Sequence, residues 1–235
     1  VTGVQTCALP ICNYAFEFND AKLTVNKAML MIKADSKRRV FGVENPQLTI
    51  SYSGFMNGED LASSDINGTP VVFTSATPES FAGMYDIIVD KGSMYSNNYA
   101  FDFENGKLVI GRALLTIKAE NKSKVYGEAS PKLSFTYNGF LSGETLATSD
   151  VTGEPVVNAD ISENTPAGEY DITVSAGSLS SDNYVFEFVK GKMTVEKATV
   201  NVTAENKSRK YGESNPEFTV SYNGFVNGET LSSSG

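Results

Sequence analysis

Apolar and polar residues alternate along most of this chain with a period of two, which is the period of a β-strand and not of an α-helix. In the stretch ALLTIKA, which begins at Ala113, Leu115 and Ile117 lie on one face while Thr116 and Lys118 lie on the other. The stretches KLSFTYN, GEYDITVSAG and NYVFEFVKGKMTVEK alternate in the same way. The pattern predicts a series of short, half-buried strands.

The segments between these strands are rich in Gly, Pro, Asn, Asp and Ser, the residues that turns require. Asn105-Gly106 separates two alternating runs and predicts a hairpin turn, as does Lys190-Gly191 in a second copy of the same sequence. The stretch SGETLATSD does not alternate. It is interpreted either as one helical turn capped by Ser142 or as a loop.

The same motifs recur along the chain at a constant spacing of 85 residues, without insertion or deletion. The motif NY-x-F begins at Asn13, Asn98 and Asn183; an aromatic-Gly pair begins at Phe41, Tyr126 and Tyr211; and Y-x-GF-x-x-GE-x-L begins at Tyr52, Tyr137 and Tyr222. Such recurrence indicates tandem copies of one structural unit.

The repeat defines two complete units, residues 28–112 and 113–197. Residues 13–27 match the end of a unit, so we expect them to be the tail of a truncated preceding repeat, folded as a hairpin. Residues 198–235 match the first part of a unit and are expected to be a truncated following repeat. We therefore expect the chain to be a fragment of a longer array, in which each complete unit encloses its own core.

The first twelve residues, VTGVQTCALPIC, match no part of a unit. They lack the basic residues of a signal peptide. They resemble the translation of a common sequencing-library adapter, so residues 1–12 are interpreted as a non-native extension. Both cysteines of the chain, Cys7 and Cys12, lie in it. We expect no thiol chemistry in the remainder.

Each unit has about six or seven short strands, with turns every 8–12 residues. This pattern predicts an all-β fold built of tandem immunoglobulin-like β-sandwich repeats. The alternative is a β-grasp-like unit, which would require a real helix in the GETL segment. The Gly-x-Tyr sequences of AGMYDI and AGEYDI are typical of a tyrosine corner and favour the sandwich.

The boundary between the second complete unit and the third, truncated unit is short. KMTVEKATVNVTA runs from the last strand of one unit into the first strand of the next with no Gly, Pro or Ser spacer. Because flexible linkers are rich in Gly and Ser, this boundary predicts closely held neighbours and a rod.

Charge and composition exclude several classes of function. The net charge of −9 and the pI near 4.6 argue against nucleic acid and anionic lipid as partners, since both select basic surfaces. No apolar run is long enough to insert in a membrane. The chain contains no histidine, which excludes His-dependent catalytic triads and zinc sites of the usual His/Cys kind.

The acid–base candidates are the carboxylate pair Glu59-Asp60 and Asp171 beside Tyr170. The Glu recurs at the same position of every unit, as Glu144 and Glu229, which favours a scaffold role. We therefore expect no enzymatic activity and assign no catalytic residue and no cofactor.

Calcium is the cation considered, because loop carboxylates suit it. The candidate ligands in turn-rich segments are Asp65, Asp150, Asp160 and Asp182. No D-x-D-x-D-G loop is present, and a solvated acidic surface is the alternative that we favour.

Two other groups of residues admit a second interpretation. The stripe of Tyr184, Phe186 and Phe188 is interpreted as core rather than as a platform for carbohydrate. The basic run Lys37-Arg38-Arg39 is not repeated at the same density, and we expect it to form a solvated turn.

These motifs together resemble the MBG-type (YGX) tandem repeat domains of bacterial surface and adhesin-like proteins. The residues that carry the resemblance are Tyr126, Gly127, Pro131, Tyr137, Gly139, Phe140, Gly143 and Leu146 in the second unit, and Tyr211, Gly212, Pro216, Tyr222, Gly224 and Phe225 in the third. The first unit departs from the pattern with Phe41 in place of Tyr. The resemblance implies secreted or cell-surface proteins and no catalytic activity.

We therefore expect a structural stalk or spacer module of an extracellular, surface-anchored bacterial protein, whose partners are the neighbouring repeats of the same chain. The alternative is a repeat array that binds a host protein or glycan weakly and gains strength from avidity. The recurrence of Gly, Pro, Tyr and Phe rather than of one exposed patch favours the stalk.

Overall fold

A computed structural model describes residues 17–233 of the chain. This part is all-β, with sixteen strands and no helix, and therefore no helix that could span a membrane. The adapter-like residues 1–12 and the first residues of the predicted 13–27 tail lie outside the described range.

The first unit consists of two sheets. Its strands are β1 (Ala28–Ala34), β2 (Lys37–Val40), β3 (Ile50–Ser53), β4 (Val71–Thr74), β5 (Gly83–Asp90), β6 (Tyr99–Glu104) and β7 (Gly106–Gly111). One sheet has the order β3-β1-β6 and the other has the order β2-β7-β5-β4. Buried side chains of β1, β5 and β7 pack against each other between the sheets, as in a sandwich.

The second unit repeats this arrangement strand for strand. Its strands are β8 (Ala113–Ala119), β9 (Lys122–Val125), β10 (Phe135–Asn138), β11 (Val156–Asn158), β12 (Gly168–Ser175), β13 (Tyr184–Val189) and β14 (Gly191–Glu196). Its sheets have the orders β10-β8-β13 and β11-β12-β14-β9. The predicted tandem β-sandwich fold is confirmed.

The predicted hairpin turns at Asn105-Gly106 and Lys190-Gly191 are wrong. β6 and β7 do not pair with each other: β6 pairs in parallel with β1, and β7 pairs with β2 and β5 in the other sheet. The chain crosses between the sheets here. A Cβ on Gly106 would lie 2.5 Å from the carbonyl oxygen of Ala34, and one on Gly191 would lie 2.6 Å from that of Ala119. Gly is therefore required by close backbone approach rather than by a turn.

The predicted tyrosine corner is confirmed in both units. The hydroxyl of Tyr85 donates to the carbonyl of Phe81 at 3.1 Å, and that of Tyr170 donates to the carbonyl of Pro166 at 2.9 Å. Each bond ties the start of a long strand to the loop before it.

The GETL segment forms one turn and no helix, so nothing supports the β-grasp alternative. The amide of Ser149 donates to the carbonyl of Thr145 at 2.9 Å, and the amide of Thr145 donates to the hydroxyl of Thr148. Ser142 is not the cap. It lies earlier, in a left-handed conformation with a φ of 54°.

The hydrophobic core does not divide at the boundary between the units. Each sheet is confined to one unit, but the core of the first unit continues into Ala113, Leu115, Val151 and Tyr184 of the second. A second cluster, which includes Ile117, fills the rest of the second unit. The expectation of a separate interior for each unit is therefore wrong, because side chains from both units are buried together at their contact.

The two flanking segments are less structured than the complete units. Residues 17–27 form no strand, so the described part of the predicted tail is not a hairpin. In the third unit, β15 (Asn201–Ala204) and β16 (Val220–Asn223) form one exposed antiparallel pair.

Candidate functional site: the joint between units

Consecutive units contact each other through two loops that carry the repeated motifs. The first is the loop that follows β2, β9 or their counterpart, and it contains the aromatic-Gly pair; we call it the YG loop. The second follows β3, β10 or β16 of the next unit and contains GF-x-x-GE; we call it the GE loop. We call their contact the joint.

At the first joint, backbone and side chain meet without space for a Cβ. Gly42 has a φ of +74°, which side-chain-bearing residues rarely adopt. A Cβ on it would lie 2.7 Å from the Cβ of Leu141 in the second unit. The hydroxyl of Ser142 lies 3.5 Å from the carbonyl oxygen of Gly42. Gly is therefore required here for both its conformation and its size.

The second joint repeats this contact 85 residues later. Gly127 has a φ of +88°, and a Cβ on it would lie 2.6 Å from the Cβ of Val226 in the third unit. The side-chain amide of Asn227 donates to the carbonyl of Glu163 at 3.4 Å. The two joints are thus built by the same positions of the repeat.

The aromatic residue of the YG loop packs onto the next unit. The ring of Phe41 meets the ring of Tyr184 edge-to-face, with 5.6 Å between the centroids. Phe140 packs on Tyr184 in the same manner at 5.7 Å. Edge-to-face pairs of this kind are worth about 0.5–1.5 kcal/mol beyond the area they bury. Tyr211, whose loop meets no following unit among the described residues, is fully exposed.

The hydroxyl of Tyr184 fastens the GE loop of its own unit. The amide of Leu141 donates to it at 3.1 Å, and it donates to Oε2 of Glu144 at 2.5 Å. Burial of the ring, together with the bond to Glu144, raises the pKa of Tyr184 to about 12. In the first unit, Tyr99 donates to Glu59 at 2.6 Å and accepts from the amide of Met56.

At the second joint a tyrosine hydroxyl bridges the two units directly. Tyr126 donates to Oε1 of Glu229 at 2.5 Å, and this bond raises the pKa of Tyr126. Phe41 has no hydroxyl with which to make the corresponding bond to Glu144. The recurring Glu therefore accepts from a tyrosine of its own unit at Glu59 and Glu144, and from a tyrosine of the preceding unit at Glu229. Both are structural contacts, as the scaffold interpretation predicts.

A second loop of the preceding unit, the loop before β5 or β12, also contacts the next unit. We call the surface formed by this loop and the YG loop the docking face. At the first joint the amide of Ala82 donates to Oδ1 of Asn183 in the next unit at 2.9 Å. At the second joint the equivalent loop supplies Pro166 and Ala167 to a cavity of about 600 Å³ that also borders Tyr126 and Phe225. The preceding unit therefore contributes two loops to the joint, the YG loop and this second loop.

The other predicted motif residues support these loops. Gly139 follows β10 with a φ of +114°, and a Cβ on it would lie 2.7 Å from the carbonyl oxygen of Leu114. Gly224 makes the same approach to Thr199 at 2.4 Å. Tyr137 and Tyr222 lie on the strands before them. Pro131 and Pro216 lie within the YG loops. Gly143 and Leu146 are exposed residues of the GE loop, and Gly212 lies in the uncovered third YG loop.

The four calcium candidates do not form one metal site, although the amide of Asp182 donates to the carboxylate of Asp150 at 2.7 Å. Asp65 accepts hydrogen bonds from the hydroxyl of Ser96 at 2.6 Å and from two backbone amides, which lower its pKa. Asp150 likewise accepts from one serine hydroxyl and two backbone amides. Donors occupy the positions that a cation would need. Asp160 and Asp182 are exposed, and residues 17–233 contain no group of three acidic, His or Cys side chains fit for a metal.

The aromatic stripe is core, as predicted. Tyr184 is 1% exposed, and Phe186 and Phe188 are partly buried against the hydrophobic clusters. The interpretation of the basic run as a solvated turn is wrong for Arg39, which is 8% exposed in β2. The signal for this residue was present in the sequence, because a cation recurs at Lys124 and Arg209.

The fold and the joint define a class: tandem all-β repeat modules that contact each other through positions that recur in every unit. The family model of the MBG domain (YGX type) matches residues 30–109, 115–194 and 200–235. The chain belongs to this family. No curated protein matches the chain.

Proposed function

We propose that the chain is a spacer segment of the stalk of a secreted or surface-anchored bacterial adhesin-like protein. Its units hold each other in a fixed orientation and so keep a functional head at a distance from the cell. The proposed role is structural rather than catalytic, and its setting is extracellular.

The observation that carries the proposal is the joint. In both joints a glycine lies so close to the next unit that a Cβ on it would overlap a neighbouring side chain. The hydrophobic core also continues across the first joint. A close-packed interface such as the first joint has one preferred arrangement, whereas a flexible linker has many. Repeating such a joint extends the array by a constant step for each unit. The net charge of −9 favours solubility of the proposed stalk.

The proposal is tested by measuring whether the two complete units tumble as one body. Residual dipolar couplings of the full chain are expected to fit a single alignment tensor for residues 28–112 and 113–197. In Gly42→Ala the new Cβ collides with Leu141, and two independent tensors are expected.

The matched control is Gly58→Ala. Gly58 has a φ of +75°, nearly that of Gly42, but a Cβ on it meets nothing within 4 Å. Both variants therefore suffer the same backbone strain of about 1–2 kcal/mol, and only Gly42→Ala disturbs the joint. Independent tensors in the unmodified chain would refute the stalk proposal.

A further inference from the structure

Two loops of the preceding unit form the docking face of the joint, and they come from distant parts of its sequence. In the first unit they are the YG loop, which contains Phe41 and Gly42, and the loop before β5, which contains Ala82. The joint requires both loops to be held in one relative position. A side chain that forms hydrogen bonds to both loops can hold them in this position.

Arg39 makes this tie in the first unit. It is 8% exposed, and its Nε donates to Oδ1 of Asn45 at 2.7 Å while its two terminal nitrogens donate to the carbonyls of Val40 and Thr77. Val40 and Asn45 belong to the strand end and the YG loop, and Thr77 belongs to the loop before β5. One side chain thus joins the two halves of the docking face.

Lys124 makes the corresponding tie in the second unit. It is 5% exposed and donates to the carbonyl of Glu128 at 2.8 Å and to the carbonyl of Ser162. Ser162 occupies the position of Thr77, 85 residues later. Arg209, the third cation, is exposed and donates only within its own loop, to Lys210 and Glu213.

The residue before the loop proline provides a second link between the same two loops. The side-chain amide of Asn45 donates to the carbonyl of Ala76 at 2.6 Å, and the hydroxyl of Ser130 donates to the carbonyl of Ile161 at 3.1 Å. Ala76 and Ile161 are equivalent positions. The two loops are therefore linked in both complete units by the same pair of positions.

Neither buried cation is compensated by a carboxylate. The ion pairs found in residues 17–233 involve other lysines, whose side chains are all more exposed than Arg39 and Lys124. Burying a charge without an opposite charge is costly, and here only neutral oxygens offset the cost. An apolar side chain would fill the space at lower cost, so the position has a requirement beyond packing.

We infer that this buried cation, two positions before the aromatic of the YG loop, is a positioning residue that sets the docking face for the next unit. The hydrogen bonds of Arg39 and Lys124 all go to loops of their own unit, so both residues act through these loops. The inference rests on the proposed function, since it assigns the cation to the joint rather than to the stability of its own unit.

The test compares Arg39→Met with Arg39→Lys in the full chain. Met keeps an unbranched apolar side chain but cannot bond to Thr77, whereas Lys is the residue that the second unit uses. In Arg39→Met the amide of Ala82, which reports on the joint, is expected to exchange with solvent roughly tenfold faster, while amides of β5 in the same unit change less than about twofold. Residual dipolar couplings are expected to require two tensors. Arg39→Lys is expected to restore both readouts.

Equal acceleration at Ala82 and throughout β5 would mean that Arg39 only stabilises its unit, and the inference would be overturned; so would an unchanged Ala82 amide. Should Arg39→Met not fold, Asn45→Ala removes the acceptor of Arg39 and the parallel link, and the same selective loss at Ala82 is expected. If Gly42→Ala uncouples the units but neither of these variants does, the stalk proposal stands and the positioning role fails. If the unmodified units tumble independently, both fail.

Discussion

The first and second joints share one backbone arrangement but differ in their polar contacts. At the first, Phe41 packs on Tyr184 and the hydroxyl of Tyr184 bonds to Glu144 within one unit. At the second, the hydroxyl of Tyr126 bonds to Glu229 across the two units. The hydroxyl of the YG loop is therefore a variable addition.

What both joints retain is the glycine. The φ angles of +74° and +88° at Gly42 and Gly127, and the absence of space for a Cβ at either, are common to both. Steric fit thus defines the joint, and hydrogen bonding adjusts its strength. The comparison can be tested at each level.

The largest expected contrast lies between the two sides of the second joint. Core amides of the second unit, such as those of Ile172 and Val174, are buried in a two-sheet interior, whereas β15 and β16 form one exposed pair. We expect hydrogen exchange to be slower in the second unit by roughly a thousandfold. Equal protection of residues 198–233 would show that contact with the second unit is enough to order the third segment. The second joint would then be as stable as the first.

The next effect separates steric fit from backbone strain. Gly127 and Gly212 occupy the same repeat position with φ angles of +88° and +90°, but only Gly127 faces another unit. Gly127→Ala is expected to destabilise the contact by about 1–3 kcal/mol more than the shared strain, because its Cβ would overlap Val226. The amide chemical shifts around Val226 measure the loss of docking, and Gly212→Ala is the matched control. Chemical-shift changes of similar size around Val226 in both variants would contradict the conclusion that steric fit defines the joint.

Removing single hydroxyls compares the polar contacts of the two joints. Tyr184→Phe leaves the amide of Leu141 and the carboxylate of Glu144 without this partner, and we expect a loss of about 1–3 kcal/mol in the free energy of unfolding. Tyr126→Phe only reproduces what Phe41 already is, and about 0.5–1.5 kcal/mol is expected. Urea denaturation of both variants provides the measurement. A larger loss for Tyr126→Phe would show that the bond across the units dominates.

A further effect of the Tyr184 hydroxyl appears only at high pH. The pKa of Tyr184 is about 12 in the folded chain, above the value of about 10 of a free tyrosine. Because the folded state retains the proton more strongly, the contribution of this group to stability is fully present below pH 10 and is lost as the pH rises to 12. The free energy of unfolding is expected to fall in that window, and to fall less in Tyr184→Phe. Tyr52 and Tyr137, whose pKa is also raised by burial, leave a residual slope in the variant. An identical pH profile in the variant would contradict the assignment.

Much of the fold follows from local patterns. Alternation with a period of two located most of the strands, since a half-buried strand needs apolar side chains on one face only. The constant spacing of 85 residues predicted that the second unit repeats the first. The Gly-x-Tyr sequence predicted the bonds of Tyr85 and Tyr170, because that contact spans only four residues.

The errors concern contacts between segments that are distant in sequence. Asn105-Gly106 has the composition of a hairpin turn, yet the glycine is needed because Ala34, some seventy residues earlier, passes beside it. Arg39 was expected in a solvated turn because the run Lys37-Arg38-Arg39 is not repeated at the same density. Its partner Thr77, which no local pattern indicates, lies in another loop.

The sequence by itself determined the class of fold, the repeat and the positions that every unit must keep, because periodicity and spacing are properties of the chain. Only the tertiary structure decided what those positions do. Gly42, Gly127, Arg39 and Lys124 act through contacts with segments that the chain brings near only after it folds. Such contacts depend on the register and the crossing of strands, and no local pattern of residues specifies them.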